Sequence, residues 1–212
     1  MTERKLNREE QKARRGLEKA FQSGLKLQAK ATGWGYLKPS FFKRIGDWFV
    51  DLHPTFWTDA ERSKISACVK PFAIDDLMSR ILGFEGLDGP PLSLRARGPH
   101  CLVRPMFDRS VECGGDVDRM LDIAADFSIV VTSDVKALSL DDFIDFTADD
   151  VPEGQVSVNQ VGALILAGRS EEAVVLCNKA VAARQWGGPA RTSADGRIVG
   201  FFELARAWLQ KD

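Results

Sequence analysis

The chain has 212 residues, 44% of them hydrophobic and 28% charged, with a formal net charge of -1. That length permits one large domain or a domain with a smaller appendage, and the apolar share is ordinary for a soluble globular protein. The first ten residues hold no apolar central run and no stretch reaches the roughly 18 consecutive apolar residues of a membrane span, so a soluble, cytoplasmic protein without a membrane partner is expected.

The charge is unevenly placed: residues 1–44 carry 12 Lys or Arg against 4 Asp or Glu, a net of +8, which leaves -9 for the rest. Four cysteines, Cys68, Cys101, Cys113 and Cys177, form no CxxC pair. Reduced thiols are expected, because a chain of this size folds without disulfides.

In chain order, residues 7–31 read as a long amphipathic helix. Asn7 and Glu10 have capping-box spacing, Ala13, Leu17, Ala20, Phe21 and Leu25 recur on one face, and Gly33 ends the run. Short β-favouring segments follow at 34–37, 41–45, 48–53 and 63–70. The Gly46-Asp47 pair predicts an antiparallel hairpin between the second and third of them. Residues 74–82 read as a short helix closed by Gly83, and 92–97 as a further strand after a Gly/Pro-rich loop.

After Gly114-Gly115 the pattern is helical. Stripes are expected at Val117 to Val131, at a helix capped by Ser139 and Asp142, at a hairpin of 156–167 and 170–185 turning at Gly168, and at a last helix marked by Ile198, Phe201, Phe202, Ala205 and Trp208. The fold class is therefore α+β: an antiparallel meander sheet with the N-terminal helix on one face, then a C-terminal helical region. The expected organisation is a sheet domain over 1–114 and helices over 115–212 packed on it.

Strict alternation marks three of the strands: Trp48-Val50-Leu52, Ile65-Ala67-Val69 and Leu92-Leu94-Ala96. The intervening residues face the other way and include Asp51, His53, Lys64, Cys68, Lys70, Arg95 and Arg97. A pocket for an anion or small molecule on that face would use His53, Cys68, Lys70, Arg95 and Arg97, Arg being suited to oxyanions. The plainer reading is a solvated outer sheet face.

Cys68 with His53, oriented by Asp51, has the minimum composition of a nucleophile and base. No complete catalytic or phosphate-loop motif accompanies it: GxSxG, HExxH and GxxxxGK[ST] are all missing. His53, His100 and the cysteines lack the paired spacing of a zinc site, so no metal and no cofactor is expected. The reading thus favours binding over catalysis.

Acids crowd residues 134–153, where Asp141, Asp142, Asp145, Asp149 and Asp150 are candidates for contact with a basic protein partner. Asp141 and Asp142 also suit the first turn of a helix. The basic N-terminal helix is interrupted by Glu3, Glu9, Glu10 and Glu18, which argues against nucleic acid as a partner.

Two resemblances add to this reading. The helix, the aromatic hairpin, Val69-Lys70-Pro71, Asp75-Asp76-Leu77 and Ser93-Leu94-Arg95-Ala96-Arg97-Gly98 together resemble, over about residues 7–130, an uncharacterised bacterial α+β family that includes proteins regarded as immunity partners of polymorphic toxins. That resemblance implies protein binding and not catalysis and leaves the partner unnamed; taken with the acidic stretch, the expected partner is a protein such as a basic toxin. Gly168, Glu172-Ala173 and Ala180 resemble a tetratricopeptide helix pair, but one copy cannot bury its own face. The expected function is a non-enzymatic cytoplasmic protein-binding protein of immunity type; the alternative is a small-molecule or anion-binding domain, or an enzyme, with a basic pocket on the polar sheet face.

Overall fold

Asn7 and Glu10 open the first helix as their spacing predicts. In the computed structural model, which describes residues 7–56, 62–83 and 104–210, the Asn7 side chain accepts from the Glu10 N–H at 2.9 Å and the Glu10 carboxylate accepts from the Asn7 N–H at 2.8 Å. Helix α1 runs Arg8–Thr32 and stops at Gly33, which takes a left-handed conformation. Phe21, Leu25 and Ala29 are its buried stripe. Ala13, Leu17 and Ala20, expected on that stripe, are exposed, so only the second half of α1 is packed.

The sheet is an antiparallel meander in the order β1-β2-β3-β4-β5. Its strands are β1 (Gly35–Leu37), β2 (Ser40–Ile45), β3 (Trp48–Thr55), β4 (Arg62–Pro71) and β5 (Phe107–Glu112). The first four fall where the alternation predicts them. Strand β5, not anticipated, pairs with β4 from Arg62↔Glu112 to Ala67↔Phe107. Phe107, Arg109 and Val111 do alternate, but a charged middle position hides the period. The expected strand at 92–97 lies outside the described residues.

The chain divides into two compact units. The first comprises residues 1–43, 50–68 and 105–136, and so holds α1, most of the sheet and nearly all of α3 (Val117–Ala137). Its core is built from Phe21, Leu25, Val50, Leu52, Ile65, Ala67, Met120, Ala124, Phe127 and Val131, all nearly inaccessible. The Gln28 amide donates to the Leu121 carbonyl at 2.7 Å, tying α1 to α3, and the Arg109 guanidinium lies over the Phe127 ring.

The second unit comprises residues 44–49, 69–104 and 137–212. Helices α2 (Ile74–Leu82), α4 (Leu140–Ala148), α5 (Val158–Leu166), α6 (Ser170–Ala182) and α7 (Phe201–Leu209) pack successively, with α2 against α5 and α7. Ile74, Met78, Phe143, Val161, Cys177, Phe201 and Phe202 are its buried centre. The α5–α6 hairpin therefore buries its face on neighbours, as a lone helix pair must. Ile198, expected in the last helix, instead belongs to β7 (Ile198–Gly200), which pairs with β6 (Ala190–Thr192). The β-branched Ile198-Val199 after Asp195-Gly196 is turn-and-strand chemistry that overrides helical spacing.

Candidate functional site

Strand parity puts Asp51 and His53 on one face of β3, as expected, and the structure joins them: His53 Nε2 lies 2.5 Å from Asp51 Oδ2. The other ring nitrogen, Nδ1, lies 2.8 Å from the Ser40 hydroxyl on β2. Ser40 therefore takes the place beside His53 that sequence reasoning gave to Cys68. Its position was legible: counting the register outward from the two-residue turn Gly46-Asp47 sets Ser40 opposite His53.

The hydrogen bond to Asp51 raises the His53 pKa, with the carboxylate charge adding to it and burial opposing both. Asp51 is 9% exposed, and its second oxygen, Oδ1, is buried without a hydrogen-bond partner. The connectivity is that of a Ser–His–Asp relay, but Ser40 is only 1% exposed and its hydroxyl offers a substrate no approach. What the arrangement does is hold a proton between a half-exposed imidazole and a buried carboxylate.

A fully solvated polar face is not what the structure shows. In β3 every residue from Trp48 to Leu52 is buried, and in β2 so are Ser40, Phe41 and Phe42. The outer part of the face does carry exposed ion pairs, Lys64 with Asp108 at 2.6 Å and Arg62 with Glu112 at 3.4 Å.

Of the five side chains expected to form an anion pocket, His53 and half-buried Cys68 belong to the first unit. Lys70, 8% exposed, belongs to the second, where its ammonium contacts both oxygens of Asp75 at 2.9 and 2.7 Å and lies over the Phe49 ring. Arg95 and Arg97 lie outside the described residues. Among the described residues no three His, Cys, Asp or Glu side chains are grouped as a metal ion needs.

The acidic candidates divide by local role. Asp142 completes a capping box on α4, accepting from the Ser139 N–H at 2.9 Å, and those bonds hold its carboxyl below the usual range. Asp141 pairs with Arg169 at 2.8 Å. Arg169 also grips Glu172 through two N–H donors, at 2.6 and 2.7 Å, which raises the guanidinium pKa. Asp150 is held by Arg104 at 3.3 Å, with that guanidinium over the Phe146 ring; burial nevertheless pushes the Asp150 carboxyl up. Asp145 and Asp149 are exposed and make no ion pair among the described residues.

Beyond α4 the second unit carries an open groove of about 890 Å³. Asp150, Glu153, Gln155, Gln185, Trp186 and Gly187 are among its lining residues, and the Gln185 amide oxygen accepts from the Val156 N–H at 3.1 Å. Past α6 the backbone turns at Arg184, φ 57°, and the Trp186 carbonyl then accepts from the Phe201 N–H at 2.9 Å. Gly187 follows at φ 79°, where an added Cβ would come within 2.9 Å of Val158 and 3.0 Å of Phe202. The backbone of Trp186 is thus held by this bond while its indole stays 56% exposed, and Trp186 and Ile198, the latter 54% exposed, both border a second, smaller depression. Sequence reasoning passed over Trp186; its only signal was an aromatic set at the Gly187-Gly188-Pro189 helix break.

No family model, no curated protein and no solved structure matches this chain. Among the described residues no helix is long and apolar enough to cross a membrane.

Proposed function

We propose that this is a non-enzymatic, cytoplasmic protein-binding protein whose contact surface is the Trp186–Ile198 patch of the second unit. The observation that carries this reading is an exposed indole on an immobilised backbone. Trp34 and Trp48 are buried and Trp208 is half-buried, whereas Trp186 stands out beside an exposed Ile198. Large apolar side chains grouped at a surface mark interaction sites, and tryptophan is the side chain most enriched among those that dominate binding. A fixed backbone lowers the ordering cost of association. Exposed Glu153 lines the groove that Trp186 also lines, and its charge suits a basic partner, such as a toxin.

The polar sheet face supports the small-molecule alternative less well, since Lys70 is engaged by Asp75 and the Ser40 hydroxyl is enclosed. Quantitative copurification from the native cell tests the reading. A protein retained by the wild type and by Ile129→Asp, which alters an exposed apolar residue of the first unit, should be lost from both Trp186→Ala and Ile198→Asp. A retained set identical across all four proteins refutes the Trp186 surface.

A further inference from the structure

We infer that one face of α1 binds the phosphate backbone of duplex DNA without reading its sequence. This contact belongs to the first unit and does not rest on the Trp186 surface.

Arg8, Lys12, Arg15, Lys19, Lys26 and Lys30 follow one another along α1 at intervals of four, three, four, seven and four residues. At 3.6 residues per turn, those intervals put all six within an arc of about 60°, in a row about 33 Å long. All six are exposed, and none makes an ion pair among the described residues. The acids that interrupt the helix in sequence stand off this row: Glu9, Glu10 and Glu18 lie about 90° or more from its centre. Glu10 serves the capping box, and Glu18 is taken by Arg14 at 3.0 Å.

The longest interval in the row holds Gln22 and Ser23. There a depression of about 390 Å³ is lined by Arg15, Lys19 and Lys26 from the helix and by Tyr36 and Lys38 from β1 and the residue after it. Lys38 is a further exposed cation with no ion pair among the described residues. The Tyr36 hydroxyl donates to the Gln22 side-chain oxygen at 2.7 Å. That bond ties β1 to the helix and leaves the Gln22 amide nitrogen as another donor beside the cations.

Charge complementarity selects the occupant. One cation every 6–7 Å or so along a straight line is matched by a polymer that repeats its own charge, and duplex DNA carries one phosphate per about 1.7 Å of axis. A small phosphate ester seated in the depression would leave Arg8, Lys12 and Lys30, which are not in its lining, unmatched. A helix lying on a membrane buries an apolar face in the lipid. In α1, Phe21 and Leu25 are in the core, and exposed Leu17 and Leu27 lie about 90° or more from the centre of the row. Single strands are gripped by stacking on aromatic side chains, and the row contains none.

Fluorescence anisotropy with a labelled 20-bp DNA duplex tests this on the full chain. The duplex should bind saturably at 50 mM NaCl and about a hundredfold more weakly at 200 mM, the loss expected when about four phosphates release their counterions. A duplex of scrambled sequence should bind equally well. At the lower salt, Arg15→Gln with Lys26→Gln should weaken binding by about fivefold or more, and Arg15→Glu with Lys26→Glu by about twentyfold or more. Lys136→Glu with Lys179→Glu, the same charge change at exposed positions of α3 and α6, should change it by less than about twofold. The inference is overturned by an absence of saturable binding, or by equal weakening from the row pair and the control pair. Tighter binding of a single strand, of phosphatidylserine vesicles or of polyglutamate than of the duplex overturns it as well, as does displacement of the duplex by tripolyphosphate at equal phosphate concentration.

Discussion

Lys70 and Asp75 form a buried ion pair across the end of β4 and the first turn of α2, the ammonium touching both carboxylate oxygens with 9% and 6% of the two side chains exposed. A lysine read from the sequence as a ligand for an anion already has an anion, supplied five residues later. Removing one member of such a pair leaves a charge buried without its counterion, at a cost of about 3–5 kcal/mol. Lys70→Met should therefore lower the urea-unfolding free energy by about that amount, and the double variant Lys70→Met, Asp75→Leu should recover most of it. Equal destabilisation by the single and double variants would show that the two side chains do not act as a pair.

His53 gives stability a pH dependence of definite sign. Its pKa is raised above the ordinary 6.5 by the hydrogen bond to Asp51. The stabilisation is fully present below pH 6.5 and is lost as the pH rises through the elevated folded value. The chain has only two histidines, so an NMR titration needs to separate His53 from His100 alone. The His53 ring should titrate above 6.5 in the wild type and fall markedly in Asp51→Asn. A wild-type value at or below 6.5 removes the basis of the account of this cluster.

Ser139 and Asp149 should separate folding from binding within the acidic stretch. Ser139 caps α4 through its hydroxyl and its N–H, so Ser139→Ala should cost about 1 kcal/mol in chemical denaturation and leave partner affinity unchanged. Asp149 lies at the other end of that helix, exposed and without an ion pair among the described residues. Asp149→Lys should leave stability nearly unaltered and weaken a basic partner, more so at low salt. The opposite pattern would move the acids' role from contact to structure.

Gly187 ties stability to the contact surface. An alanine there would occupy a left-handed conformation and press on Val158 and Phe202. Strain alone is worth about 1–2 kcal/mol. Gly187→Ala should lower the melting temperature and reduce partner binding together, because the strap that presents Trp186 must shift. An unchanged melting temperature would show that the strap is not held as described.

Local chemistry made most of the fold legible. Asn7 and Glu10, Gly46-Asp47, Ser139 and Asp142, and the alternation through β3 and β4 each act over a few residues, and each produced the element it predicts. Elements that depend on partners distant in sequence were harder to see. Strand β5 is defined by its pairing with β4 some forty-five residues away, and exposed Ala13, Leu17 and Ala20 show that a helical stripe does not say how far packing extends.

The same distinction governs the sites. Asp51 beside His53 followed from strand parity, while Ser40 needed the hairpin register and Lys70 was diverted by Asp75 on the next element. Trp186 carried no periodic signal at all. Its significance comes from exposure and from the immobilised backbone beneath it, and neither is a property of sequence spacing.

Site-specific photocrosslinking in the native cell reads out whether Trp186 and Ile198 form the contact surface. A photoreactive residue placed at position 198 should give one discrete protein adduct that disappears when Trp186→Ala is added, and a probe at exposed position 129 should not give it. The same adducts from both positions, or an adduct at 198 indifferent to Trp186, would contradict the assignment.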